Sequence, residues 1–250
     1  LAMAHEARRL GVEVSTGTEV VAVRVRNGRA TGVALADGTE LDARCVASNL
    51  NPKLLYQHLI DPHALDADFL ERIRAWKCGS GTFRMNVALS ELPEFTCLPG
   101  DGPHLRSGII MAPSLAYMDR AFLDARSHGW SRAPVVEMLV PSLVDDTLAP
   151  PGRHVASLFC QHFSPELPDG RSWDEAKEQA AEAVIDAVTH FAPNFRRAIL
   201  GRMVLSPLDL ERSFGLVGGD IFHGALTLDQ LYSARPVLDR KSTRLNSSHV

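Results

Sequence analysis

The spacing of hydrophobic residues changes early in the chain, and each pattern predicts a different element. Leu1, Ala4, Ala7 and Leu10 recur every three residues, which predicts one face of a helix that ends at Gly11. Beyond that glycine, residues 19–26 alternate, with Val21, Val23 and Val25 on one face, as they do in a strand that buries one face. Segments 12–14, 31–36 and 44–48 are also predicted to be strands.

Two dipeptides in the same region predict tight turns. They are Asn27-Gly28 and Asp37-Gly38. Asn and Gly both tolerate the positive φ that a two-residue hairpin turn requires. The resulting order of helix, strand, hairpin and strand fits a doubly wound dinucleotide-binding fold with an inserted β-meander. We therefore predict a mixed α/β protein that includes part of such a domain.

The middle of the chain predicts a second sheet with one polar face. A strand is expected over 82–90, because hydrophobic residues occupy every second position: Phe83, Met85, Val87 and Leu89. On its other face, Arg84 and Asn86 could line a substrate cavity or face solvent. Gln161 and His162, at the end of another predicted strand, have the same two interpretations.

A capping box predicts where the longest helix begins. Ser172 is expected to cap the first free N–H groups while Glu175 reaches back to it, and Pro193 stops the helix. Its apolar stripe comprises Ala176, Ala180, Val184, Ala187, Val188 and Phe191. The other predicted helices are 52–59, 66–76, 115–127, 194–200 and 207–212, and the other predicted strands are 135–141, 154–162 and 202–206.

Composition restricts the class of partner. The chain has 250 residues, of which 45% are hydrophobic and 22% charged, with a net charge of -4. Such a chain can bury a sizeable core, and its charge does not favour nucleic acid. No apolar run approaches the roughly 20 residues of a membrane helix, so no integral membrane segment is expected.

The sequence lacks the motifs of several common catalytic and metal-binding sites. Cys45, Cys78, Cys97 and Cys160 are far apart and form no C-x-x-C pair, so neither a redox dithiol nor a zinc knuckle is expected. The ten histidines show no H-x-H or H-E-x-x-H spacing, and no metal site is predicted. Motifs of serine hydrolases and of P-loop NTPases are absent as well.

The meander of residues 16–49 has an order that is informative as a whole. It runs from V-V-A-V-R-V through Asn-Gly, G-V-A-L and Asp-Gly to a segment that ends in Ser48-Asn49. The pattern alone would fit any antiparallel hairpin. Its length and order resemble the FAD-binding domain of phytoene desaturases, amine oxidases and their relatives. The resemblance implies that the backbone amide and carbonyl of Val20 pair with the adenine of FAD.

A glycine-rich segment near the other end carries the second resemblance. Residues 215–236 read GLVGGDIFHGALTLDQLYSARP, with four glycines in ten residues. They resemble the pyridine nucleotide-disulfide oxidoreductase domain-containing protein 2-like branch of the phytoene desaturase and FAD-dependent amine oxidase superfamily. Segments 137–142, 147–152 and 207–212 support the match, which covers nearly all of residues 1–239. We expect Gly218 and Gly219 near the flavin and His223 as the catalytic candidate.

The resemblance implies FAD as cofactor and hydride transfer from a small-molecule substrate, for which an apolar molecule is one expectation. A carotenoid or polyprenoid desaturase or isomerase is an alternative, and a non-catalytic interaction protein that keeps the fold is another. The family's G-x-G-x-x-G and its later G-S-G-x-H-P-G-G-G segment are not in this sequence. The chain alone is therefore expected to be inactive. The oligomeric state is not predicted.

The same resemblance predicts how the chain divides. Residues 1–55 and 213–239 are expected to belong to the FAD-binding domain, and 56–212 to an inserted mixed-sheet substrate domain. The polar end, 240–250, is expected to be a non-native tail, and the native chain is expected to begin before Leu1. A bacterial protein of this kind would be cytoplasmic, whereas eukaryotic relatives would lie in the mitochondrial matrix.

Overall fold

A computed structural model describes residues 2–79 and 81–235, and the tail predicted at 240–250 lies outside them. These residues form two compact units. Unit 1 contains 2–76 and 232–235, and unit 2 runs from 77 to 231. The assignment of residues to a flavin-binding and a substrate domain stays a prediction, because contacts within a chain do not identify a ligand.

Each unit has helices and its own antiparallel sheet, so the mixed α/β class is confirmed. The strands are β1 Val20–Arg26, β2 Arg29–Leu35, β3 Glu40–Asp42, β4 Phe83–Leu89, β5 Ile109–Met111, β6 Trp130–Leu139, β7 His154–Phe163 and β8 Ile199–Leu205. The helices are α1 Ala2–Arg9, α2 Pro52–Leu54, α3 Ala67–Ala75, α4 Leu115–His128, α5 Trp173–Phe191, α6 Phe195–Ala198 and α7 Pro207–Phe214. A π-helical turn, Leu55–Leu59, extends α2.

The sheet of unit 1 is the predicted meander, with strand order β1-β2-β3. Asn27 and Gly28 adopt φ of 51° and 71°, the conformation that the hairpin turn needs. Arg24 on β1 forms ion pairs with Glu40 and Asp42 at the two ends of β3. These cross-strand pairs contribute to the register of the meander.

Two strands predicted in unit 1 are wrong. Residues 12–14 and 44–48 have no strand structure. Both segments contain hydrophobic residues of the kind found in strands, but a strand also needs a hydrogen-bonding neighbour, and no described strand lies beside either one. Helix α1 forms as predicted, yet none of its side chains is buried.

Unit 2 is built on a five-stranded sheet in the order β5-β6-β7-β4-β8. Every described pairing in it is antiparallel, where the sequence predicted a mixed sheet. The predicted inward face of β4 is confirmed: Phe83, Met85, Val87 and Leu89 are all buried. Helix α6 ends at Ala198, two residues before its predicted end, because β8 already begins at Ile199 and pairs with β4.

Helix α5 covers the inward face of this sheet, and its predicted capping box is present. The Ser172 amide donates to Glu175 Oε2 at 3.1 Å, and the helix follows at Trp173. Trp173 lies 5.7 Å from the Trp130 ring and 6.0 Å from the Phe83 ring, and its indole N–H donates to the Ser164 carbonyl at 2.9 Å. Of the predicted stripe, all but the half-buried Phe191 are buried. No helix in the described parts of either unit is long and apolar enough to cross a membrane.

Candidate functional site

The glycine-rich segment starts where α7 ends, in unit 2. Ser206 begins the helix with a second capping box: its amide donates to Asp209 Oδ2 at 2.9 Å and its Oγ accepts from the Asp209 amide at 3.2 Å. Gly215, with φ of 65°, ends it in the left-handed conformation. The chain then enters the short turn Val217–Gly219. Strong signals at both ends of α7 therefore fix the point at which the segment begins.

Gly218 and Gly219 are required by the local backbone. Their φ angles are 66° and 64°. A Cβ on Gly219 would lie 2.5 Å from the carbonyl oxygen of Pro207, whereas one on Gly218 would meet Pro165 at 3.5 Å. Packing against Pro207 accordingly accounts for the glycine at 219 without any ligand. A contact between these glycines and a flavin stays a prediction.

Asp220 organises the loop, and the sequence analysis missed it. The side chain is fully buried. Its Oδ2 accepts from the Gly79 amide at 2.8 Å and its Oδ1 accepts from the Phe222 amide at 2.9 Å. A buried carboxylate with two amide donors is a strong anchor. The signal in the sequence was an acidic residue between two glycines and an apolar pair.

Gln230 provides a second buried anchor that sequence reasoning also missed. Its Oε1 accepts from the Lys77 amide at 2.7 Å, and its Nε2 donates to the carbonyls of Lys77 at 3.0 Å and Ala225 at 3.2 Å. An ion pair between Asp229 and the Lys77 ammonium lies beside it. Two consecutive residues of the LDQL motif thus hold the end of the segment against residue 77.

His223 lies between these anchors. Its amide donates to the Asp220 carbonyl at 3.2 Å, and its φ is 56°. Phe222 and Leu226 nearby in the sequence are 42% and 51% exposed. An imidazole held on a fixed loop next to exposed apolar side chains can exchange a proton with, or donate a hydrogen bond to, a ligand. The structure brings Gly218, Gly219 and His223 together on one loop.

Val20 belongs to unit 1 and stands at the first position of β1, the outer strand of the meander. The preceding carbonyl, that of Glu19, accepts from the Ala36 amide at 3.0 Å, and the Leu35 amide donates to Thr39 at 2.9 Å. Successive residues of a strand direct their backbone groups to opposite edges. The amide and carbonyl of Val20 therefore point away from β2, towards the edge of the described sheet.

The polar face of β4 carries Arg84 and Asn86, both half-buried. Arg84 donates to Ser157 Oγ at 3.1 Å and its guanidinium lies 5.4 Å from the centre of the Phe159 ring. Gln161 pairs with Val135 in the same sheet. These side chains stand on the face of the sheet opposite α5.

His162 has a different environment. Its ring packs edge to face against Phe122 at 5.3 Å, and burial lowers its pKa below the ordinary value. The imidazole is therefore neutral at pH 7. This histidine is part of the packing between β7 and α4.

The possible metal ligands and the cysteines in the described part of the chain bear on two other kinds of site. No group of three or more His, Cys, Asp or Glu side chains there is arranged to hold a metal ion. All four cysteines are free thiols. Burial raises the pKa of Cys160 far above its ordinary range, so this thiol is not a nucleophile at neutral pH.

Comparison with known proteins shows which proteins this chain is similar to. The fold matches that of an oxidoreductase from Methanosarcina mazei with a TM-score of 0.57 at 19% identity, over 82% of this chain and 40% of that chain. The chain is also 25% identical over 256 residues to a phytoene desaturase of Fusarium fujikuroi, across 94% of this chain and 42% of the relative. No family model matches.

A more similar relative is the pyridine nucleotide-disulfide oxidoreductase domain-containing protein 2 of Rattus norvegicus. The identity is 41% over 244 residues, across 94% of this chain. The mouse protein of the same name is 40% identical over the same share. The resemblance found in the sequence is therefore confirmed. The chain spans 42% of the length of these relatives.

Proposed function

We propose that this chain is part of an FAD-dependent oxidoreductase that takes hydride from a C–H bond of a small-molecule substrate. The 41% identity to the rat relative over 94% of the chain carries the proposal. The fold shared with the Methanosarcina mazei oxidoreductase supports it. FAD would accept the hydride. The protein would bind and orient the cofactor and the substrate, and it would exclude water from the site.

Val20 is the residue proposed to hold the adenine. Its backbone offers one donor and one acceptor at the edge of the meander, and a flat heterocycle such as adenine can pair with both. Both groups already point outward, since the neighbouring carbonyl of Glu19 and amide of Leu35 are engaged within the sheet. This orientation of the backbone groups supports the proposed contact with adenine.

Gly218, Gly219 and His223 are proposed to lie near the flavin or the substrate. Asp220 and Gln230 fix the loop that carries them, so His223 keeps one backbone position. A fixed imidazole can hold a proton or donate to a flavin carbonyl. The half-buried polar face of β4, with Arg84 and Asn86, is proposed as the wall of the substrate site.

The adenine contact is tested in a protein extended to the full length of the relatives. Val20→Pro removes the edge amide while keeping the strand, since proline is tolerated at the first residue of an edge strand. Loss of one hydrogen bond should weaken FAD binding about three- to tenfold. Val20→Ala keeps the amide and should bind FAD within about twofold of the unaltered protein. Equal affinities for the two variants would contradict the role of Val20.

A carotenoid or polyprenoid desaturase or isomerase is the second candidate, favoured by the match to the fungal phytoene desaturase. It predicts that the full-length protein oxidises or isomerises a polyene hydrocarbon. A non-catalytic protein that retains the fold is the third candidate. A full-length protein that binds flavin and reduces no acceptor with any of a broad panel of substrates would favour the third.

A further inference from the structure

We propose that the substrate carries an anionic group, a carboxylate on an apolar body, and that Arg84 binds it. This inference rests on the proposed function, because it takes the polar face of β4 as the substrate wall. It narrows the substrate to an amphipathic acid, in place of a neutral hydrocarbon.

One row of side chains crosses the sheet on the face opposite α5. Arg84 on β4 is paired with Phe159 on β7, and Phe159 is paired with Glu137 on β6. Neighbouring strands are about 4.8 Å apart, so Arg84 and Glu137 stand about 10 Å from each other with the phenyl ring between them. The row places one positive and one negative side chain on opposite sides of an aromatic surface.

Arg84 differs from the other arginines of unit 2. All the others within the described residues are exposed as residues, although the Arg202 side chain is only 28% exposed and pairs with two carboxylates, whereas Arg84 is half-buried. No carboxylate forms an ion pair with Arg84 among the described residues; its one hydrogen bond goes to the neutral hydroxyl of Ser157. Seven of the exposed arginines do have carboxylate partners: Arg106, Arg132, Arg171, Arg196, Arg197, Arg202 and Arg212.

A half-buried guanidinium has lost part of its hydration, and here one neutral hydroxyl and one ring face replace only part of it. A planar carboxylate would satisfy it, because two parallel N–H groups match the two oxygens. Asn86 lies two residues further along the same face and can add a neutral donor. Glu137 would repel the anion from the other side of the ring, and this repulsion orients the ligand towards Arg84.

The surroundings of the row are apolar and accessible. Ile110 is 66% exposed, Met203 53% and Leu139 47%, and the register places all three on this face. These side chains lie on β5, β6 and β8, and exposed apolar groups on the face that carries a charged group fit a ligand with an apolar body and a charged head. A polyene hydrocarbon would cover the apolar residues and leave the charge of Arg84 without a partner.

The test measures binding of decanoate and of decanol, its neutral counterpart, to the 250-residue chain by NMR titration of the Leu139 and Met203 methyl groups. The expected result is that decanoate binds about fivefold more tightly at neutral pH and low salt. Arg84→Gln should abolish the preference, because decanoate then loses the charge that it pairs with. Arg84→Lys, which keeps the charge, should retain part of it.

Arg120→Gln is the matched control, since Arg120 is an exposed arginine on α4 and its loss changes the net charge equally. This variant should keep the preference, and Glu137→Gln should increase it. Equal binding of decanoate and decanol by the unaltered chain, no binding of either, or a preference that survives Arg84→Gln would overturn the proposal. The titration needs no flavin. A full-length protein that binds no FAD would therefore contradict the proposed function without changing the result of this titration.

Discussion

Gln230 satisfies the backbone of Lys77 in both directions, accepting from its amide at 2.7 Å and donating to its carbonyl at 3.0 Å. The two residues are far apart in sequence, yet the side-chain amide acts towards Lys77 as a neighbouring strand would. The Lys77 carbonyl has a second donor, the Ala225 amide at 2.8 Å. The Lys77 amide therefore depends on Gln230 more than the carbonyl does.

Gln230→Ala should lower the free energy of unfolding by about 1–3 kcal/mol, because it removes the three hydrogen bonds of a buried side chain. Urea denaturation of the chain measures it. Asp229→Asn is the control in the adjacent position: it breaks an ion pair whose side chains are 57% and 61% exposed and should cost less than about 1 kcal/mol. Equal losses of stability for the two variants would show that the hydrogen bonds of Gln230 do not stabilise the protein more than the exposed ion pair does.

Substitution of Asp220 is expected to lower the stability of the protein more than substitution of Gln230. Asp220→Ala removes the acceptor of two amides at once, and the expected loss is about 3–5 kcal/mol. Asp220→Asn keeps one acceptor oxygen and should lose about 1–3 kcal/mol. Thermal and urea unfolding measure both. If the asparagine variant were as unstable as the alanine variant, the two hydrogen bonds would not be the source of the stability.

Gly219→Ala tests whether close packing against Pro207 fixes this glycine. The change adds a Cβ 2.5 Å from the Pro207 carbonyl oxygen as well as the cost of a left-handed alanine. Gly152→Ala is the matched control, because its φ is 73° and nothing lies within 4 Å of the added carbon. The control should lose about 1–2 kcal/mol of stability from its conformation alone. Gly219→Ala should lose clearly more, and a loss no larger than the control's would refute the packing account.

A network of charges on α5 should make stability depend on pH. Hydrogen bonds from Arg202 and Arg196 hold the pKa of Glu182 below its ordinary value. A carboxyl whose pKa is lower in the folded state stabilises the protein above its unfolded pKa of about 4.3 and loses that contribution as pH falls through the folded pKa. Because the side chain is 44% exposed, the contribution should be less than about 1 kcal/mol.

Glu182→Gln should therefore be less stable than the unaltered chain at pH 7, and the difference should shrink as the pH falls below about 4. Urea denaturation across this range measures it. Added salt should reduce the difference at pH 7, because exposed ion pairs are screened. A difference that is constant with pH would mean that the ion pairs do not contribute.

The sequence predicted those features whose cause is local. The capping box at Ser172, the turn at Asn27-Gly28 and the alternation along β4 depend on neighbouring residues, and all three are present. The strands expected at 12–14 and 44–48 failed because strand formation depends on a partner that no local pattern contains.

The same limit applies to the candidate site. His223, Gly218 and Gly219 could be chosen from composition and resemblance, since glycines and a histidine stand out in a short segment. Asp220 and Gln230 could not, because their importance comes from amides that lie 141 and 153 residues earlier in the chain. Only the folded structure shows which distant backbone groups a buried polar side chain satisfies.

The central claim is that the protein works with FAD. The most direct measurement is the visible absorption spectrum of a protein extended to the full length of the relatives, purified without added cofactor. The proposal predicts the bands of oxidised flavin, bleached on addition of a reductant and released as FAD on denaturation. A folded full-length protein that shows no flavin absorbance, and takes up no FAD when it is supplied, would contradict the claim.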